Sequence, residues 1–373
     1  MTAFGGVFDG LKILLTGHTG FKGSWLSLWL AKMGATVTGL SIDIPTTPSL
    51  FELTGVASCV DHRFGDVRDA AAMAALVREV QPDVVFHLAA QPLVRLSYRE
   101  PLATLDTNVM GLANVLEAVR GWGGRCDIVV VTSDKCYRND GRREGYRETD
   151  PMGGHDPYSM SKGAAELVVD SWRSSYFSSP DSPIRLASAR AGNVIGGGDW
   201  AEDRIITDCI EALTSGQPIS MRNPLATRPW QHVLEPLSGY MWLVHQLRAG
   251  AEVTQGWNFG PGQSNIRNVA QLVDELVKDW GSGSAIHLEE AGAPKEATAL
   301  SLNIEKAWSE LAWKPVWDFE RTIAETVSWY KAWTRGKQDL RRFTEDQIDT
   351  YIQDAAGSSV GWAVARIAEV PRR

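Results

Sequence analysis

A short apolar run, Leu11-Lys-Ile-Leu-Leu15, ends directly at spaced glycines in Thr16-Gly-His-Thr-Gly-Phe-Lys-Gly23, and Ser24-Trp-Leu-Ser-Leu-Trp-Leu30 follows with apolar residues at helical spacing. Strand, glycine turn and helix in that order constrain the fold more than any other stretch. Glycines without β-carbons let backbone N–H groups approach a pyrophosphate, which then lies on the positive end of the helix. The spacing is Gly17-x-x-Gly20-x-x-Gly23. Apolar segments that read as strands recur at Thr36–Ser41, Val84–Leu88, Asp127–Thr132 and Arg185–Ala189. They alternate with helical segments at Ala70–Val80, around Leu105–Val119 and at Tyr158–Tyr176. Repeated βαβ units of this kind predict a doubly wound parallel sheet, an α/β Rossmann fold.

Beyond Ala189 the alternation loosens, with glycine and proline clusters at Gly196-Gly-Gly198 and Arg222-Asn-Pro224. Helices are expected at Arg204–Thr214, Leu237–Gln246, Asn268–Trp280 and Thr322–Trp333. The predicted organisation is a cofactor domain over residues 1–190 with contributions from about 230–262. A smaller interleaved α/β substrate domain is assigned to 191–340, and a C-terminal helix and tail to 341–373.

At 373 residues, 44% hydrophobic and 22% charged, the chain is expected to be an ordinary globular protein. A formal net charge of −8 argues against coating nucleic acid, which needs a basic footprint. No stretch approaches the roughly 18 uninterrupted apolar residues of a membrane span, and the amino terminus lacks a signal-peptide pattern; a cytoplasmic protein is expected. Cys59, Cys126, Cys136 and Cys209 are scattered without a Cys-x-x-Cys pair, so neither a metal site nor a disulfide framework is indicated.

Tyr158 and Lys162 lie four apart in Asp156-Pro-Tyr-Ser-Met-Ser-Lys162. On a helix that spacing stacks them on one face. A cation beside a phenol favours phenolate, which makes a base for a hydroxyl proton while hydride leaves the adjoining carbon. With the glycine turn upstream, the pair points to a nicotinamide redox enzyme. Asp43 or Ser41, after the second strand, are candidates for the adenosine ribose, and an acid there favours NAD over NADP. Asp66, followed by Val67, suits an adenine contact. His87-Leu-Ala-Ala-Gln91 offers small residues where backbone passes the cofactor.

The chain resembles the extended short-chain dehydrogenase/reductases that act on nucleotide sugars, over nearly its whole length. Four stretches carry the resemblance: Gly17–Leu26, Thr132-Ser-Asp-Lys-Cys-Tyr137, Gly192-Asn-Val-Ile-Gly-Gly-Gly-Asp-Trp200 and Arg228-Pro-Trp-Gln-His-Val233. Within the family they are most similar to the branch that dehydrates CDP-glucose at C4 to C6. The resemblance implies bound NAD, regenerated in each turnover, and cofactor contacts at Gly17, Thr19, Gly20, Phe21, Lys22, Gly23, Asp43, Asp66, Val67, Leu88, Ala89, Ala90, Tyr158 and Lys162. It implies a homodimer or homotetramer built through Rossmann helices. It also implies CDP-glucose as the partner molecule, with Gln91, Asn193, Arg204, Arg228 and His232 on the substrate side. Arg228 is the better cation candidate, Arg204 and Arg222 are weaker ones, and His232 is either a core or a pocket histidine.

The catalytic set implied is Ser133, Asp134, Lys135, Tyr158 and Lys162. Ser133 hydrogen-bonds the sugar O4 and assists Tyr158, while Asp134 in its protonated form gives a proton to the departing C6 hydroxyl. Related dTDP-glucose dehydratases carry Asp-Glu where this chain has Asp134-Lys135. Lys135 is therefore either a lysine base with a lowered pKa or a cation stabilising the enolate. Trp25 and Trp29 are expected to pack their helix on the sheet; Trp200 and Trp230 are candidates for the pocket border.

Overall fold

Strand β1 (Lys12–Thr16) is the hub of the architecture. It pairs in parallel with β2 (Thr36–Ser41) on one side and with β4 (Val84–His87) on the other. Its Ile13, Leu14 and Leu15 are fully buried, as a strand covered by helices on both faces requires. With β3 (Asp61–Phe64), β5 (Cys126–Val131) and β6 (Ile184–Arg190), the sheet runs β3-β2-β1-β4-β5-β6 and ends in the strand Gly256–Asn258. All seven strands are parallel. The computed structural model describes residues 3–142, 144–262, 265–287, 300–336 and 338–365.

Helices Ala70–Val80, Gly111–Trp122 and Pro157–Tyr176 cover one face, burying Val77, Leu116 and Ala165 against Leu14, Val85 and Ile128. The other face carries α1 (Phe21–Lys32) and the helix Leu234–Arg248. Trp25, Leu26, Leu28, Trp29 and Leu30 of α1 are all buried, a helix apolar on every side. Trp29 meets the rings of Phe4, Tyr351 and Trp362 edge-on, so both ends of the chain close over α1. The expected terminal helix is Leu340–Gly357, followed by a turn at Gly361–Val364; the tail from 366 lies outside the described residues.

The expected helix around Leu105–Val119 is present within a longer helical run, residues 101–122, that contains a π turn. Pro101–Leu105 is helical, Asp106–Met110 forms a wide π turn, and the regular helix starts at Gly111. Asn108, within that turn, accepts from Gln91 N at 2.8 Å and donates to Gln91 O at 3.1 Å and to Ser161 Oγ at 2.8 Å. A π turn swings that amide inward where an α turn would not. No helix among the described residues is long and apolar enough to cross a membrane.

Candidate active site

In open α/β sheets ligands bind beyond the carboxyl ends of the strands, where the strand order reverses. Here the reversal lies between β1 and β4, and the carboxyl ends of β1, β4, β5 and β6 deliver the glycine turn, His87, Ser133–Lys135 and Asn193 to one edge.

The glycine turn is sterically forced. Gly17 has φ +78°, and a β-carbon on it would lie 2.7 Å from Ala89 N; one on Gly23 would overlap Gly17 O. Gly20 is the N-cap of α1, and no side chain among the described residues caps it. The turn is tied to β2 by Thr19 N donating to Ser41 Oγ at 3.2 Å and Thr19 Oγ1 donating to Asp43 O at 2.6 Å. Ser41 also meets His18 Nδ1 at 2.9 Å, so its hydroxyl is engaged within the fold. Asp43 is exposed two residues past β2, leaving its carboxylate as the acid at this edge. Asp66 is forked to Arg68, with Nη2 to Oδ2 at 2.6 Å. Burial and the charge of Lys162 drive His87 down to about 3, and its Nδ1 meets Thr16 Oγ1 at 2.8 Å.

The helix Pro157–Tyr176 starts where the sequence dictates. Asp156 caps it by accepting from Ser159 N at 2.8 Å, and Pro157 occupies the first turn. That start places Tyr158, Lys162 and Glu166 on one buried face. Burial pushes Tyr158 up to about 12, against a hydrogen bond with Ser133 and the charge of Arg204, which pull it down. The cation that Tyr158 feels is thus Arg204, across the cleft at the N-cap of the helix Ile205–Ser215. The four-residue spacing alone points to Lys162. Burial lowers Lys162 to about 8.

Asp134 is 3% exposed. Its Oδ1 accepts from Ser133 Oγ at 2.9 Å and its Oδ2 from Asn193 Nδ2 at 3.4 Å. Asn193 reaches it from a left-handed backbone, φ +50°. A β-carbon on Gly192 would overlap the Asp134 carboxylate, which explains the Gly-Asn pair. Lys135 is half-buried, its N–H donating to Ser133 Oγ at 3.2 Å. Lys22, half-buried, is lowered to about 8 by burial and by Arg204, while Asp134 opposes the shift. Asp199, which its sequence neighbours do not single out, carries its carboxyl above the usual range through burial, opposed by Arg204 and Lys22.

Two substrate candidates are not brought to this cluster. His232 is wholly buried, edge-on to Trp25 and Trp317, and held near 3 by burial; it is a core residue. The Gln91 amide is spent on Thr104 Oγ1 at 2.8 Å and Leu93 N at 2.5 Å. Trp200 likewise packs edge-on with Trp329, Tyr330 and Trp333, while Trp230 donates to Arg267 O at 3.2 Å. Arg228 stands directly opposite Arg267 in the antiparallel pair Thr227–Pro229 and Ile266–Asn268. Arg267 also lies 3.9 Å from the Glu320 carboxylate and over the Phe319 ring. Gln231, further along, donates to Gly192 O at 3.0 Å and links that strand to the loop against Asp134. Asp199 lies inside the Gly192–Trp200 stretch but has no role there that the sequence alone assigns, and Arg267 has no sequence signal of its own.

Glycine turn, buried Tyr-Lys face and acidic strand end together define a Rossmann-fold enzyme of sugar-nucleotide type. A family model described as GDP-mannose 4,6 dehydratase matches residues 14–326, and the chain belongs to that family. The CDP-glucose 4,6-dehydratase of Salmonella typhimurium (strain LT2) is 47% identical, covering 92% of this chain and 97% of that protein. A dTDP-glucose 4,6-dehydratase of Xanthomonas campestris pv. campestris is 28% identical, covering 87% and 95%. The solved dTDP-glucose 4,6-dehydratase from Streptomyces venezuelae with NAD and TYD bound superposes with a TM-score of 0.73. It is 23% identical and covers 88% of this chain and 99% of that one.

Proposed function

We propose that the protein converts CDP-D-glucose to CDP-4-keto-6-deoxy-D-glucose and water, with NAD as its bound cofactor. The observation that carries this reading is the buried Ser133–Asp134 hydrogen bond placed against Tyr158. An acidic group beside the oxidation machinery is what elimination adds to a plain epimerase or reductase site. The 47% identity to a CDP-glucose 4,6-dehydratase supports the substrate.

The glycine turn suits a dinucleotide: the first-turn N–H groups of α1 are open to a pyrophosphate, and backbone lies where side chains have no room. NAD supplies a hydride acceptor at the sugar C4 and a donor at C6, and is not consumed. Tyr158 takes the O4 proton, with Ser133 hydrogen-bonded to the same oxygen. Asp134 gives a proton to the departing C6 hydroxyl. Lys135 either takes the C5 proton as base, or stabilises the enolate as a cation while another group takes that proton. Arg228, Arg267 and Arg204 hold the diphosphate.

Substrate deuterated at C4 tests the reading: the label is expected at C6 of the product. An epimerase returns it to C4, and a binding protein yields no product. Running CDP-, dTDP-, UDP- and GDP-glucose in parallel reads the nucleotide preference.

A homodimer accompanies this assignment. Tyr98, Leu102, Met110 and Leu167 are exposed on the neighbouring segments Val94–Arg99, Pro101–Leu105, Asp106–Met110 and Pro157–Tyr176. Leu102 is 79% and Leu167 61% exposed. An apolar face of this kind supports an interface with a second copy.

A further inference from the structure

Behind the catalytic strand end lies a buried ion pair that the proposed reaction does not use. Glu166 follows Tyr158 and Lys162 on the same helix face, and Arg190 ends β6. Arg190 Nη2 donates to Glu166 Oε2 at 2.8 Å, with both residues 5% exposed. Burying such a pair is costly unless its remaining hydrogen-bonding capacity is met, and its partners here are specific. Glu166 accepts from Thr132 Oγ1 and, at 2.7 Å, from Ser188 Oγ. Arg190 Nη1 donates to Tyr137 Oη at 2.6 Å, and Tyr137 Oη donates to Asn258 Oδ1 at 2.7 Å.

Thr132 and Tyr137 flank Ser133, Asp134 and Lys135. The segment that carries the elimination groups is therefore tethered at both ends to one ion pair, and the carboxylate half of that pair sits on the helix that carries Tyr158 and Lys162. Resting on the proposed dehydratase function, we propose that Glu166 and Arg190 are positioning residues. They fix the register between the Thr132–Tyr137 segment and the Tyr158–Lys162 face, and Glu166 supplies a negative charge to the face it shares with Lys162.

Lys162 faces Glu166 and Tyr158 on its own helix, and Cys136, His87 and Lys22 from the elements packed against it. Burial drives the Cys136 thiol well above its ordinary value and His87 down to about 3, so both are neutral near pH 7. Burial likewise leaves Tyr158 a neutral phenol. Lys22 is a cation and repels. Burial would neutralise Glu166, but the Arg190 guanidinium and the hydrogen bonds outweigh it and hold the carboxyl below the usual range. Cys136 and Glu166 oppose the burial of Lys162, and of the two it is Glu166 that carries a charge near pH 7.

Competitive acetylation of the full-length protein across pH, read by peptide mass spectrometry, gives the Lys162 ionisation without reference to turnover. Glu166→Gln is expected to move the Lys162 midpoint down by about one pH unit and, with it, the alkaline limb of the kcat profile. Glu166→Asp keeps the charge, so its midpoint stays in place, and it reads the charge should Glu166→Gln not fold. Thr132→Val and Tyr137→Phe each cut one tether and leave the pair intact. They are expected to lower kcat about tenfold with KM and Lys162 midpoint unmoved. A Glu166→Gln midpoint equal to the parent's, or a Glu166→Asp midpoint displaced by as much as about one pH unit, overturns the charge role. Turnover of both tether variants within about twofold of the parent overturns positioning. Failure of the parent chain to turn over any nucleotide sugar strikes the dehydratase function instead, since the Lys162 midpoints are still measured.

Discussion

The Ser133 hydroxyl donates to Asp134 Oδ1 at 2.9 Å, and hydrogen bonding from Ser133 is among the influences that pull Tyr158 down against its burial. One hydroxyl thus joins the group proposed to accept the first proton to the group proposed to deliver the second. Oxidation and elimination are separable on this geometry, because only Tyr158 is needed for the first.

Asp134→Asn is accordingly expected to reduce kcat by about 10²-fold or more while reduction of NAD in a single turnover proceeds at near the parent rate. Stopped-flow nicotinamide absorbance reads the difference directly. Equal slowing of both steps would assign Asp134 to oxidation or to folding.

Stability should carry its own pH signature at Glu235. This carboxyl is fully buried, accepting from Trp317 N at 2.8 Å and Tyr351 Oη at 2.6 Å. Burial raises it from 4.5 to about 7, against those hydrogen bonds. The folded state therefore binds the proton more tightly than the unfolded chain. Its stabilising effect is complete below about pH 4.5 and is lost as pH rises through about 7, at up to about 1.4 kcal/mol per pH unit within that window. Glu235→Gln should flatten this slope, visible as a smaller fall in melting temperature between about pH 5 and about pH 8 than the parent shows.

The parallel sheet was legible because its signals are local: apolar runs of strand length, a glycine turn and alternating helical periodicity. The Asp156 cap and Pro157 even place the start of the Tyr158 helix. The Gln91 environment was not legible, because it depends on a π turn that Asn108 makes with a residue 17 positions away. Glu166 was half visible. Its spacing from Tyr158 and Lys162 puts it on their face, but its meaning rests on Arg190 at the end of another strand. His232 reads from sequence as either a core or a pocket histidine, and the flanking Trp230 and Val233 are the better guide to its burial.

Gly17→Ala tests the cofactor turn. The new methyl would stand 2.7 Å from Ala89 N on a backbone at φ +78°, a conformation that costs a non-glycine residue about 1–2 kcal/mol before any clash. Loss of NAD affinity by at least about tenfold is expected, measured by titration calorimetry. Gly10→Ala serves as a control for conformation alone, since Gly10 has φ +72° with open space around it.

The exposed apolar face predicts a change in assembly. Leu167→Glu with Leu102→Glu should shift sedimentation from dimer to monomer and leave the far-ultraviolet spectrum unchanged, because both side chains lie on the surface of their helices. An unaltered dimer would move the interface elsewhere.

Arg204 offers the sharpest separation of binding from chemistry. Burial pushes Tyr158 up to about 12, with the Ser133 hydrogen bond and Arg204 pulling the other way. Removing the guanidinium lets the phenol rise further, so less phenolate character is reached at any given pH. Arg204→Met should therefore move the ascending limb of the kcat profile to higher pH and lower kcat near neutrality by about tenfold for each pH unit the limb moves. Loss of a diphosphate contact raises KM as well, but a pure binding role leaves the limb where it was. Arg204→Lys keeps the charge and should restore most of the pH profile while KM stays elevated, since an ammonium lacks the planar fork that grips a phosphate. A profile that does not move in Arg204→Met would confine Arg204 to substrate binding and leave Ser133 to carry the activation of Tyr158.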